Sequence, residues 1–145
     1  MIEITNEHDL ACNESAIISA ATYALDKMGI HPESELSISI VDEEEMTELH
    51  IQWMDLPGPT DVLSFPMDEM RPHSAADGPG VVGDIVLCPE FAAKQAVGHS
   101  VEDEISLLTM HGVLHLLGYD HLDKEEEREM FALQEKLLAD WKATQ

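Results

Sequence analysis

The sequence predicts an α+β fold: one metallohydrolase domain over residues 1–145, with a small mixed sheet of about four strands packed with about five helices and a metal site on a helix of the C-terminal half and the turn after it. Three observations carry the fold class. Four short stretches, IEIT, LSISIV, DVLSF and VGDIVLC, read as strands, the first two by clear alternation of apolar and polar residues. Longer stretches around them repeat apolar residues at helical spacing behind Asn, Asp or Ser caps. The 145 residues, 44% hydrophobic and 26% charged, suit one core, and they contain neither an internal repeat nor a low-complexity tract.

Residues 2–5, IEIT, form the first expected strand. Asn13 caps a helix through SAIISAATYALDKM, with Ile17, Ile18, Ala21, Leu25 and Met28 as its apolar stripe and Gly29 as its stop. LSISIV, residues 36–41, alternates cleanly as a second strand. Asp42 caps the next helix with Glu45 in capping-box position; Met46, Leu49 and Trp53 make its stripe, and it ends before Pro57. PGPT turns the chain into a third strand, DVLSF, residues 61–65. Residues 66–81, PMDEMRPHSAADGPGV, are rich in Pro, Gly and small polar residues and read as a mobile surface loop. A fourth strand, VGDIVLC, follows at 82–88, and one long loop between two strands suggests an antiparallel pair. Pro89 opens a short helix that runs to near Gly98. Ser100 caps VEDEISLLTMHGVLHLL, which stops at Gly118, and Asp123 caps the last helix with Glu126 in box position.

Thirty acidic residues against seven basic ones give a net charge of −23. Such a field keeps a chain soluble and repels free nucleic acid at long range, so an RNA substrate needs a metal ion, a local patch or a docking partner to approach. The acidic opening MIEITNEHDL lacks the apolar stretch of a secretory signal. No run reaches the roughly 18 apolar residues of a membrane span. Cys12 and Cys88 form no ligand pattern and read as buried or half-buried thiols of a reducing cytoplasm.

The stretch TMHGVLHLLGYDHLD, residues 109–123, carries the chemistry. Positions four apart share a helix face, so His111 and His115 point the same way, one turn apart. Their helix is apolar on most sides and therefore buried, which keeps the imidazoles in the neutral form that binds metals. Gly118 lets the chain leave the helix, and the turn through Tyr119 and Asp120 brings His121 back toward the other two. A lone core histidine is more often satisfied by hydrogen bonds. Three converging ones without an obvious fourth protein ligand make the arrangement of a catalytic zinc, one per chain, although imidazoles also accept nickel, copper or iron. His8, His31, His50, His73 and His99 lack such company and read as surface residues.

The spacing H-x3-H-x2-G-x2-H is also that of metzincin proteases, which place a glutamate base directly after the first histidine. Here that position is Gly112, which argues against peptide hydrolysis by that route. Asp61, Ser64 and Asp84 are candidates for orienting water or substrate, beside their ordinary roles in and around strands. Glu104, two turns before His111 on the same face, could hold the second ring nitrogen of a ligand or simply face solvent. Asp120 serves the turn.

The segment HGVLHLLGYDH, residues 111–121, resembles the motif HGxLHLxGYDH of the YbeY family of metal-dependent endoribonucleases. PTDVLSFP, residues 59–66, and GDIVLCP, residues 83–89, resemble that family's other signatures, in the same order. The resemblance implies an α+β metalloprotein holding zinc on His111, His115 and His121, and hydrolysis of single-stranded RNA by a metal-activated water. It further implies a cytoplasmic role in 3′ maturation of small-subunit ribosomal RNA and in ribosome quality control. One departure matters. Many members carry an arginine five residues before PT, in a context like LNxxYR; here Met54 stands in its place and His50 in that of the asparagine. The phosphate clamp is thus missing, and the chain's two arginines are Arg71, in the loop, and Arg128, in the last helix. Single-stranded ribosomal RNA presented by the ribosome or a ribosomal protein is therefore the expected partner. A zinc-stabilised, largely non-catalytic ribosome-assembly factor is the alternative.

Overall fold

A computed structural model describes all 145 residues, Met1–Gln145. Four strands, β1 (Ile2–Thr5), β2 (Glu35–Ile40), β3 (Val62–Pro66) and β4 (Val81–Leu87), form one sheet. Five helices accompany it: α1 (Glu14–Lys27), α2 (Glu43–Met54), α3 (Pro89–Gln95), α4 (Val101–Leu116) and α5 (Lys124–Ala143). This is the expected α+β class. The strand order is β1-β2-β4-β3; β1 and β4 run parallel to β2, and β3 closes the edge antiparallel to β4. The two strands around the long loop thus pair as expected, with Ser64 opposite Ile85 and Phe65 opposite Asp84.

The helix starts follow their caps. Asn13 Oδ1 accepts from the Ala16 amide at 3.1 Å, and Asp42 Oδ1 from the Glu45 amide at 2.8 Å. Ser100 Oγ accepts from the Asp103 amide at 3.1 Å, and Asp123 Oδ1 from the Glu126 amide at 2.8 Å. Each such bond satisfies a donor that the helix leaves orphaned and typically contributes about 1 kcal/mol. The short helix α3 stops at Gln95, before Gly98, because Ala96 is already extended.

One sheet face carries Leu36, Ile38 and Ile40 of β2 and Ile85 and Leu87 of β4 into the main core, against α1, α4 and α5. Full burial of each such side chain is worth about 1.5–3 kcal/mol. The other face is partly covered by α2, whose Met46 meets Val41, Leu63, Val86 and Cys88. Trp53, expected on the buried stripe of α2, meets Phe65 edge-on at 5.9 Å and stays 59% exposed. Both belong to an open groove with Asp84, Ser39 and Met67 that α2 does not fill. Both cysteines are free, Cys12 half-buried and Cys88 buried, and burial pushes both thiols upward in pKa.

The connection between β3 and β4 lies against the end of α1. The His73 amide donates to Met28 O at 2.7 Å, the Ala75 amide to Gly29 O at 2.9 Å and the Gly80 amide to Ser34 Oγ at 3.2 Å.

Candidate metal centre

The site is built where α4 ends beside the edge strand β3. Successive strand residues face opposite ways. Leu63 goes to the smaller core and Val62 packs on the main one, so Ser64 is turned toward α4 with Val62. A cleft of about 480 Å³ opens between the two elements, lined by Asp61, Ser64, Met54 and the three histidines.

His111 and His115 project from consecutive turns of α4, with ring centroids 4.5 Å apart. The helix closes through the Gly118 amide on His115 O at 3.1 Å and the Tyr119 amide on Leu114 O at 3.0 Å. Gly118 sits at φ 98°, a conformation that L side chains resist, and this reverses the chain. The Asp120 carboxylate then accepts from the His121 amide at 2.7 Å and fixes the turn. The His121 ring lies 5.4 Å from that of His115 and 6.0 Å from that of His111. One ligand atom from each residue lies within 4.8 Å of the others.

Both helical imidazoles are held neutral. Burial is the largest cause for His111 and lowers its pKa, against the opposing pull of its Gln134 hydrogen bond and of Asp61 and Asp120. Burial, then repulsion from His111, pushes His115 down to about 4. Neutral nitrogen donors, already close, without a carboxylate or thiolate among them, fit a divalent transition ion that keeps a coordination position open.

The second ring nitrogen of His111 has a partner that sequence reasoning missed. Its Nδ1 donates to Gln134 Oε1 on α5 at 2.7 Å, which leaves Nε2 with its lone pair for a metal. A signal existed: Met130, Gln134, Leu137 and Trp141 form the buried stripe of α5, and a glutamine in an apolar stripe has to be satisfied by something. Glu104 plays no such part. It is buried rather than solvated, and it pairs with His99 Nε2 on the preceding turn. His50, expected at the surface, is half-buried, and its Nδ1 donates to Gly58 O at 2.9 Å.

The three carboxylate and hydroxyl candidates separate. Asp61 and Ser64 line the histidine cleft. Asp84 faces the groove on the other side of the sheet, beside Glu45 and Trp53. Asp61 Oδ1 accepts from the Val62 amide at 2.8 Å and from Thr60 Oγ1 at 3.3 Å, and its Oδ2 has no donor from the protein. Gly112, the position of the metzincin base, points away from the cleft: a Cβ there would meet Ile85 Cδ1 at 3.0 Å.

Known proteins resemble this chain over nearly its whole length. Residues 2–142 match the family described as Endoribonuclease YbeY. A protein of that name from Nocardia farcinica is 58% identical over 97% of this chain and 79% of its own length. Another, from Mycolicibacterium smegmatis, is 55% identical over 99% of this chain and 84% of its own. The solution structure of a Thermotoga maritima protein superposes with a TM-score of 0.62 at 27% identity, covering 99% of this chain and 93% of that one. No helix of the structure is long and apolar enough to cross a membrane.

Proposed function

We propose, from the premise that this chain belongs to the YbeY endoribonuclease family, that it is a metal-dependent endoribonuclease that cuts single-stranded RNA. The substrate is the 3′ region of small-subunit ribosomal RNA, and the setting is ribosome maturation and quality control in the cytoplasm. One observation carries the reading: three imidazoles converge at the wall of an open cleft that also holds Asp61 and Ser64.

His111, His115 and His121 would hold a zinc ion, which would supply Lewis acidity toward a phosphodiester and lower the pKa of water. The residues of the chain do the rest. Gln134 and the apolar body of α4 keep His111 and His115 in one orientation. The Ser64 hydroxyl faces the cleft, where it donates to or accepts from a substrate oxygen. Asp61 keeps Oδ2 free to accept from a water or a ribose hydroxyl. Gly112 leaves no carboxylate at the protease position, so the cleft lacks the base of that peptidase class.

A second reading has its own support. Met54 lines the cleft where a phosphate clamp would be useful, and the net charge of −23 opposes unaided RNA binding. A zinc-stabilised assembly factor that cuts little would show both features. An active enzyme would instead depend on the ribosome or a ribosomal protein to present RNA.

The deciding experiment is cleavage of a single-stranded RNA spanning the ribosomal 3′ end, with and without ribosomes. Zinc-loaded protein, chelated protein and His115→Ala are compared after each is shown to be folded. Cleavage that both controls lose establishes the metallo-ribonuclease. No cleavage in any condition, with one zinc still bound per chain, favours the assembly factor.

A further inference from the structure

Three of the seven basic side chains are tied to carboxylates: Lys94 to Glu43, Lys136 to Asp140 and Lys142 to Asp103. Lys27 lies over the Tyr23 ring at 5.5 Å. The cations left without such a partner are Arg71, Lys124 and Arg128. Two of these three fall on one face of α5, because positions 124, 128 and 131 succeed one another at helical spacing. The third residue of that row is Phe131, a large aromatic ring left 39% exposed. Its ring centroid is 6.3 Å from that of His121, with the planes 28° apart, and 6.4 Å from that of His111. Lys124, Arg128 and Phe131 line one shallow groove, whose other walls include Glu127 and Glu135.

A buried aromatic would need no further account, but an exposed ring beside a ligand cluster, in line with two unpaired cations, has the make-up of a single-strand nucleic-acid platform. Bases stack on aromatic faces regardless of sequence, and cations spaced along a groove follow the phosphates. We infer that Phe131, Arg128 and Lys124 form the subsite for single-stranded RNA next to the metal cluster: a base stacks on Phe131, and the flanking phosphates lie along Arg128 and Lys124. The inference rests on the ribonuclease reading above and names where its substrate is held. It also answers the question raised by Met54. The cations that guide RNA come from α5, on the Phe131 side of the histidines, and not from the end of α2. The same helix then holds both the partner of His111, through Gln134, and the base next to the reacting phosphate. The two glutamates of the groove repel phosphates and keep binding weak.

The test is binding, read apart from cleavage. Zinc-loaded full-length protein is titrated against a fluorescent 2′-O-methyl single-stranded oligonucleotide with 2-aminopurine at one position, by anisotropy and by 2-aminopurine emission. Phe131→Leu is expected to weaken binding on the order of tenfold and to lose the stacking quench, while Phe131→Trp retains both. Arg128→Gln is expected to weaken binding several-fold and to flatten the log-log salt dependence by about 0.7. Lys136→Gln, on the same helix but paired with Asp140, should bind like the parent. Zinc stoichiometry checks that each variant keeps its cluster, and Arg128→Gln remains decisive if Phe131→Leu disturbs it. Parent-like binding by both Phe131→Leu and Arg128→Gln would overturn the subsite and leave the ribonuclease reading intact. A parent that does not bind the probe at all would also overturn the subsite, and the ribonuclease reading would then stand or fall on cleavage with ribosomes present.

Discussion

Gln134 on α5 holds Nδ1 of His111 on α4 at 2.7 Å, so one helix sets the tautomer of a metal-ligand candidate on another. Gln134→Leu removes the acceptor and frees the ring to turn. Zinc affinity, measured by competition with a chromogenic chelator, is expected to fall about 10- to 100-fold. Gln134→Glu keeps an acceptor at the same place and should retain most of it. Unchanged affinity in the leucine variant would show that packing alone orients His111.

Acid should destabilise the metal-free protein in a defined window. The folded state holds His115 down to about 4, and burial lowers His111 as well. An unfolded chain protonates these rings near the ordinary 6.5. Below that value the unfolded state takes up protons that the folded state refuses, so stability falls as pH drops from about 6.5 to about 4. It levels off below the folded value and is indifferent to these groups above 6.5. The loss from His115 is on the order of 2 kcal/mol, allowing for solvent screening of a half-buried ring. Urea titrations at stepped pH measure it, and His115→Gln should flatten the slope.

Restoring the metzincin glutamate should damage the fold without creating a peptidase. Any side chain at position 112 starts into Ile85, with the first carbon 3.0 Å from its Cδ1. Overpacking of this kind costs about 1–3 kcal/mol, and a buried carboxylate adds to it. Gly112→Glu is expected to melt several degrees lower than the parent and to leave a casein substrate intact. A stable variant with zinc-dependent peptidase activity would contradict the orientation of α4.

Met54 lines the histidine cleft and is 53% exposed, so a longer cation at that position reaches solvent and cleft without displacing core atoms. Met54→Arg should tighten single-stranded RNA binding several-fold at low salt and steepen its salt dependence by about 0.7. The thermal midpoint should not move. No gain in affinity would mean that RNA does not run along this wall of the cleft.

The sequence by itself determined the local parts. Helix starts were legible at Asn13, Asp42, Ser100 and Asp123 because a cap is an interaction over three residues. The histidine triple was legible because helical periodicity aligns His111 with His115, and because Gly118, followed by a two-residue turn, returns His121. What lay across the fold was not. Asp61, Ser64 and Asp84 are equivalent as sequence, each in or beside a strand. The pairing of β3 with β4 and the placement of α4 decide that the first two face the histidines and the third faces away. Glu104 is plausible by helical spacing as the partner of a ligand candidate, yet it pairs with His99, while Gln134, 23 residues beyond His111, makes the bond to His111. Hydrogen bonds within a turn are fixed by backbone geometry that the local residues specify. Contacts between α4, α5 and the sheet are fixed by how whole apolar faces pack, and that depends on every element at once.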